Sequence, residues 1–320
     1  METLKTAVIG AGMMGKNHIR IYSELKNSEL VGIADINFEK ALELSKKYGG
    51  NAYKDYREML KKEKPDAVSV VVPTRLHSKI GCDVLKYSNI LVEKPIADTV
   101  ENAEKLINTA EKNNKVLLVG QIERFNPVVD FFKEWADRKK IHYLSLNAIR
   151  VGLPIFRPGI DTGVVLDLAI HDIDIIRYLT GKEVNKIDAF GVKLLKETPG
   201  EDHAHIWMRL NGISASIVVN WVSSRKIRKL GIVFNKGYAE IDYIEQKIIL
   251  YAQYGRPNDK LLWHPERILE LKYEEPLKNE IKHFLDCVTY RKKPKIDGKD
   301  ALESLKVALE AEKIIKRRLL

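Results

Sequence analysis

At 320 residues, 45% hydrophobic and 31% charged, the chain is long enough for more than one packed core and too apolar for a disordered one. Its 54 Lys and Arg exceed its 44 Asp and Glu, yet most basic residues are mixed with acids, as in KKEKPD, and the clusters RKKPK (291–295) and KRR (316–318) lack interleaved aromatics. That distribution argues against a nucleic-acid surface and leaves a solvated basic face or an anionic small-molecule substrate.

No run approaches the ~18 apolar residues of a membrane span, and Met1 leads almost directly into a strand, so a cytoplasmic protein with no membrane partner is expected. Cys82 and Cys287 are isolated and outside any CxxC pair, which fits a reducing compartment, and no His, Cys or carboxylate cluster has metal-ligand spacing. Gln is scarce while Lys, Glu and Ile are abundant, a composition that leans thermophilic.

Along the first 120 residues, short aliphatic runs alternate with helical stretches. TAVIG (6–10), LVGIAD (30–35), AVSVVV (67–72), NILVEK (89–94) and VLLVG (116–120) read as strands, with helices over 14–26, 38–48, 55–62, 76–87 and 99–113. Such alternation predicts a parallel sheet wrapped by helices. Beyond about residue 125 the texture changes: a helix (127–138), a strand (141–150), a Gly- and Pro-rich loop (152–163) and a helix over 164–179. Then come β runs: HAHIWMRL, ISASIVVNW, KLGIVF, AEIDYI and KIILYAQ. In ISASIVVNW the odd positions Ile213 to Trp221 share one face and Ser214, Ser216 and Asn220 the other, as in an open, mostly antiparallel sheet. Two closing helices, 276–290 and 299–318, finish the chain. The fold class is therefore α/β: an N-terminal domain with a parallel sheet over residues 1–121 and an α+β domain over 122–320, whose last helices can pack back on the first domain.

GAGMMG (10–15) is a G-x-G-x-x-G run that follows the first strand, opens a helix, and is answered twenty residues after Gly15 by Asp35 at the end of the next strand. In that context it predicts a dinucleotide site. Gly10 serves the tight turn, Gly12 lets the backbone approach the pyrophosphate, Gly15 lets helix and strand pack, and the helix start at Met13 and Met14 receives phosphate. A carboxylate at Asp35 can bind both ribose hydroxyls and repels a 2′-phosphate, so NAD is preferred over NADP. Lys40, the nearest cation, keeps NADP admissible as a second cofactor.

In open parallel sheets ligands bind at the carboxyl ends of the strands. Three such ends carry polar groups: Pro73, Thr74 and His77 in VVPTRLH, Glu93 and Lys94 in VEKP, and Gln121 in GQIERFNP. The helix VVLDLAIHDIDIIRYL holds Asp167, His171, Asp174 and Tyr178 within roughly 60° of one another at 100° per residue, a polar stripe on an otherwise aliphatic helix. Oxidising a secondary alcohol needs a base for the hydroxyl proton while the cofactor supplies the redox step. His171 fits that part, Lys94 can stabilise the developing alkoxide, and Asp167, one turn before His171, can orient the imidazole or the substrate. Asp174 extends the stripe, whereas Asp172 points elsewhere and reads as structural. His18 stands early in the first helix, while His203, His205 and His283 read as structural.

GAGMMG with Asp35, the EKP of residues 93–95 and the D-x-x-x-H of Asp167 and His171 resemble the Gfo/Idh/MocA oxidoreductase family, in the expected order along nearly the whole chain. One departure is Val72-Pro73-Thr74, where members often read T-P-N. The resemblance implies a Rossmann domain, a C-terminal domain whose open sheet mediates a homodimer or homotetramer, and hydride transfer at a sugar or polyol carbon with Lys94, Asp167 and His171 as catalytic residues. QIERFNPVV (121–129) is similar to the stretch found in nucleotide-sugar members, especially UDP-N-acetylglucosamine 3-dehydrogenases. On that reading Arg124, Asn126, Arg157 and Asp174 are substrate ligands, the arginines facing a diphosphate. Free-sugar or inositol oxidation, and a non-catalytic dinucleotide-sensing regulator, remain the alternatives.

Overall fold

The aliphatic runs of the first 120 residues form one parallel sheet, because strands covered on both faces by helices must be apolar on both sides. In the computed structural model, which describes residues 3–152, 161–196, 198–235, 237–254 and 262–319, the chain divides into two units. The first comprises Met1–Gln121 with Leu277–Leu305, and the second Ile122–Pro276 with Lys306–Leu320.

In the first unit β1 (Leu4–Ile9), β2 (Ser28–Ala34), β3 (Asn51–Tyr53), β4 (Ala67–Val70), β5 (Asn89–Glu93) and β6 (Leu117–Gly120) stand in the order β3-β2-β1-β4-β5-β6. That is the doubly wound order, with its switch point between β1 and β4, where the carboxyl ends leave room for a dinucleotide. Helices α1 (Met13–Glu24), α2 (Phe38–Tyr48), α3 (Tyr56–Glu63), α4 (His77–Val84) and α5 (Val100–Lys112) make the crossovers. Asn37, Asp55 and Thr99 cap α2, α3 and α5 with side-chain acceptors. β3, only three residues long, is a strand that the sequence pattern did not announce.

The late return to this unit is structural. Leu118 bridges Asp297 in antiparallel fashion, and the Val119 amide donates to the Ile296 carbonyl at 3.3 Å. Helix α8 (Pro276–Tyr290) buries Leu277, Ile281, Phe284 and Leu285, and its Lys278 pairs with Glu24 of α1 at 2.7 Å.

The second unit is built on eight strands: β7 (Tyr143–Val151), β8 (Lys186–Val192), β9 (His203–Leu210), β10 (Ile213–Asn220), β11 (Ile227–Phe234), β12 (Gly237–Asp242), β13 (Lys247–Tyr254) and β14 (Leu262–Glu270). Their order is β14-β13-β12-β11-β7-β10-β9-β8, antiparallel throughout except for the central β7–β10 pair. Strands β8 and β14 extend the sheet beyond the sequence expectation. One face buries Leu146, Ala148, Ile206, Ala215, Ile217, Val219, Leu230 and Ile241 beneath α6 (Pro127–Lys139) and α7 (Ile170–Thr180). The other face is open: Ile149, Val218, His205 and Phe190 align across β7, β10, β9 and β8. Trp207 and Phe190 are 65% and 55% exposed there. Asn220 departs from the expected alternation, being buried and accepting from the Ser223 amide. α9 (Gly298–Leu319) closes the chain.

Candidate active site

The glycine loop has the geometry its spacing predicts. Gly10 sits at φ +104°, and a Cβ there would lie 2.0 Å from the Val71 carbonyl oxygen; one on Gly15 would lie 1.8 Å from the Gly10 oxygen. At Gly12 a Cβ would meet nothing within 4 Å, so the space beside it is open to a ligand rather than filled by protein. Gly12 is also the N-cap of α1, which has no side-chain cap and no carboxylate in its first turn. The free N–H groups and the helix dipole there suit a pyrophosphate. Asp35 directly follows β2 and braces the loop, accepting from the Ala11 amide at 2.6 Å and the Asn37 amide at 2.8 Å.

The strand ends supply the polar groups. Gln121, 1% exposed, has neither amide atom bonded to protein, an arrangement that a buried side chain keeps only when a ligand or water completes it. Together with the opening at Gly12, that orphan amide fits the demands of a dinucleotide. Thr74 and His77 are buried, and the His77 ring lies 2.8 Å from both the Pro95 and Val72 carbonyl oxygens. Both contacts are satisfied when each ring nitrogen carries a proton, so His77 ties Val72, just before the Pro73–Thr74 turn, to Pro95, which follows Lys94 through a cis peptide bond.

Behind Lys94 lies a side-chain chain that the motif reading missed. His18, fully buried, has Nδ1 3.0 Å from Ser69 Oγ and Nε2 3.1 Å from Glu93 Oε1; Tyr22 OH lies 2.8 Å from the same serine. The Lys94 amide donates to the other Glu93 oxygen at 3.2 Å. Burial pushes the Glu93 carboxyl up, but the His18 hydrogen bond and the charges of His18, Lys94 and His77 more than offset this and hold it below the usual carboxylate range.

In the second unit the helix bearing the polar stripe is not uniform. Val165–Ala169 is a π-helical turn that runs into α7. The Glu201 side chain accepts from the Val165 amide at 3.1 Å and its carbonyl from Val164 at 2.8 Å; a Cβ on Gly163 would lie 2.3 Å from the Glu201 carboxyl, which would have to shift to admit it. Asp167 lies within this turn and accepts a hydrogen bond from Trp221 Nε1 at 3.1 Å. His171 stands in the first turn of α7, mostly buried at 9% exposure. π turns of this kind widen a helix by one residue and are frequent where a side chain must be re-aimed.

Farther along α7 the stripe turns inward. Arg124 donates to both Asp174 oxygens, at 2.7 and 2.6 Å, with both side chains buried, and its guanidinium stacks 4.7 Å from the Tyr178 ring centre. Asn126, expected at the substrate, is the N-cap of α6, accepting from Val128 and donating to the Tyr243 carbonyl at 3.1 Å. The pair Asn126-Pro127 carried that signal, proline being favoured at the first helical position. Arg157 lies outside the described residues. Asp172 takes a bidentate bond from Arg150 at 2.7 and 3.0 Å, and Glu123 takes another at 2.7 Å. Next to this cluster Arg228 is brought down to about 10, by burial first and by the Arg150 charge second. Among the described residues no three His, Cys, Asp or Glu side chains group as a metal site, and no helix is long and apolar enough to cross a membrane.

Residues 4–121 match the family described as "Oxidoreductase family, NAD-binding Rossmann fold", and residues 153–240 match "GFO/IDH/MocA C-terminal domain". UDP-N-acetylglucosamine 3-dehydrogenase of Acidithiobacillus ferrooxidans is 29% identical over 314 residues, covering 97% of this chain and 96% of that one. Myo-inositol 2-dehydrogenase of Thermotoga maritima is 26% identical over 331 residues, covering 98% and 97%. A solved structure of the Acidithiobacillus enzyme superposes with a TM-score of 0.89 at 27% identity, with 100% of both chains covered. GenD2 from gentamicin A biosynthesis, in complex with NAD, shares the fold at 19% identity and a TM-score of 0.83 over 99% of this chain and 94% of that one.

Proposed function

Because the chain belongs to the GFO/IDH/MocA family, and so is an NAD-binding oxidoreductase acting on CH–OH groups, we propose that it oxidises a secondary hydroxyl of a sugar, most specifically C3 of a nucleotide sugar such as UDP-N-acetylglucosamine. The observation that carries the substrate assignment is the full-length likeness to a UDP-N-acetylglucosamine 3-dehydrogenase in both sequence and fold. Bound NAD supplies the hydride acceptor. His171 takes the hydroxyl proton, Lys94 donates a hydrogen bond to the same oxygen and stabilises its developing charge, and Asp167 orients the reacting groups. Gly10, Gly12, Gly15 and the start of α1 hold the pyrophosphate, Asp35 the ribose, and Gln121 a polar edge of the nicotinamide half. The Asp35 carboxylate favours NAD over NADP.

Arg124 and Asp174 answer each other's charge in full, so in this reading they brace the catalytic helix and reach substrate only at the cost of that pair. The exposed face carrying Ile149, Phe190 and Trp207 is the surface for a second copy, in a homodimer or homotetramer. The free, buried thiols of Cys82 and Cys287 support a cytoplasmic location.

The test is turnover of UDP-N-acetylglucosamine, free N-acetylglucosamine and myo-inositol with NAD and with NADP, followed by absorbance of the reduced nicotinamide. Activity confined to the nucleotide sugar is expected. Oxidation of myo-inositol in its place would move the protein to the second reading, inositol oxidation, which the Thermotoga relative supports.

A further inference from the structure

Helix α8 carries a carboxyl group into the interior of the first unit with nothing there to neutralise it. Leu277, Ile281 and Phe284 form the buried stripe of α8, and Glu280 lies on that stripe at 0% exposure. Neither of its oxygens has a hydrogen-bond partner, and no Lys, Arg or His pairs with it among the described residues. An ionised carboxylate left bare in a dry interior is among the costliest arrangements in a protein, and such a group keeps its proton instead.

Glu93, at the end of β5, stands near Glu280, is bonded to His18 of α1 and feels the charges of Lys94 and His77, while Ser69 of β4 links His18 to Tyr22. Tyr22 and Glu93 are near enough to feel its charge. Two carboxyl groups in one buried cluster do not both ionise readily, and the surroundings decide which one does. Glu93 accepts from His18 and from the Lys94 amide and has three basic neighbours, so it is the anion. Glu280 has none of these; burial, and then the Glu93 charge, raise it well above the ordinary glutamate value. Tyr22, Ser69 and His18 form a continuous hydrogen-bonded series that ends on Glu93, which accepts from His18 Nε2–H.

We propose that Glu280 is a positioning residue, a carboxylic acid that keeps its proton at neutral pH, leaves Glu93 as the anion of the two carboxyl groups and thereby fixes the backbone and ammonium of Lys94. The proposal rests on the reading of Lys94 as catalytic. Its consequence is an alkaline limit. When Glu280 ionises, a second anion enters the cluster, the Glu93 contacts rearrange, and both NAD binding and turnover fall.

The experiment compares wild type with E280Q, which has the neutral shape, and E280M, which is also unable to ionise. Infrared spectra at neutral pH read the carbonyl band of an un-ionised carboxylic acid, and NAD titrations across pH read the site without any sugar. Turnover profiles follow with the sugar the wild type oxidises. Expected are a carbonyl band lost in E280Q, NAD affinity and rate within about threefold of wild type near neutrality, and an alkaline decline that is delayed or absent in the variant. An unchanged infrared band, or an alkaline decline identical in E280Q, would overturn the assignment. So would failure of both variants to fold, because a non-ionising side chain is what the site is said to require. The infrared and NAD measurements are independent of the sugar, so an error in the substrate assignment leaves them intact.

Discussion

Trp221, at the end of the core face of β10, donates its indole N–H to Asp167 in the π turn at 3.1 Å. The bond fixes one carboxylate oxygen of Asp167 and so holds the orientation of the group proposed to act beside His171. A hydrogen bond to a charged group contributes ~1.5–3 kcal/mol, so Trp221→Phe is expected to lower kcat by about ten- to a hundredfold. Steady-state kinetics alongside an NAD titration check this: the Kd for NAD stays at the wild-type value while kcat falls.

The two side chains proposed to be catalytic separate by what they disturb. His171→Ala and Lys94→Ala each should cost about 10²–10⁴ in kcat, the usual contribution of a positioned proton-transfer group. NAD affinity is retained in His171→Ala. Full turnover in either variant, measured by the same absorbance assay, would remove that residue from the mechanism.

Glycines of the phosphate loop offer a cleaner contrast. Gly15→Ala places a methyl 1.8 Å from the Gly10 oxygen, and the variant should unfold at a markedly lower temperature or not fold. Gly12→Ala meets nothing within 4 Å in the protein, so its thermal midpoint should match wild type while the added methyl intrudes where the pyrophosphate must approach. Overpacking of that kind costs ~1–3 kcal/mol, an expected weakening of NAD binding by about five- to a hundredfold. Thermal unfolding and isothermal titration on the two variants check the pair of outcomes.

Glu280 makes a prediction about stability as well as rate. Its folded value is raised, so between the unfolded glutamate value of about 4.3 and the folded value the native state holds a proton that the unfolded chain has released. Native proteins binding more protons lose stability as pH rises through that window. Denaturant unfolding of E280Q should therefore show a stability difference from wild type that moves in the variant's favour from pH 5 upward. Glu93, held low, works in the opposite sense, its contribution being lost as pH falls below the unfolded value.

Arg150 and Asp172 are buried on both sides of a bidentate pair, and Glu123 completes the arginine's bonding. Removing one partner leaves the other charged and dry, so Asp172→Asn or Arg150→Met should destabilise the protein by ~3–5 kcal/mol in chemical denaturation.

The parallel sheet and its glycine turn were legible because both leave local marks. Strands buried on two faces are contiguous aliphatic runs, and a backbone forced to φ +104° at Gly10 admits little else. What was not legible depended on partners far away in sequence. The stripe of Asp167, His171 and Asp174 was correctly seen as polar, but periodicity at a uniform 100° per residue has no way of anticipating a π turn at Val165–Ala169. Nor does it tell a carboxylate awaiting substrate from one already answered by Arg124, fifty residues away. The parallel pairing of β7 with β10 left no local trace either, since alternation gives a strand's faces and not its neighbour. Glu280 is different. It was not singled out in the sequence, although its place three residues after Leu277 and one before Ile281 sets it on the apolar side of an amphipathic helix.

Residues 277–305 complete a unit whose other part ends at Gln121, so the nucleotide-binding unit, though begun first, is completed only late in synthesis, after residues 122–276 have been made. Until those residues leave the ribosome, the free edge of β6 has no Ile296 or Asp297 beside it, and the apolar flank that α8 later covers stays wet. A nascent chain of this design waits with its first sheet unsealed while more than a hundred intervening residues are made, a natural point for chaperone engagement and a reason that the first 121 residues should not be produced alone.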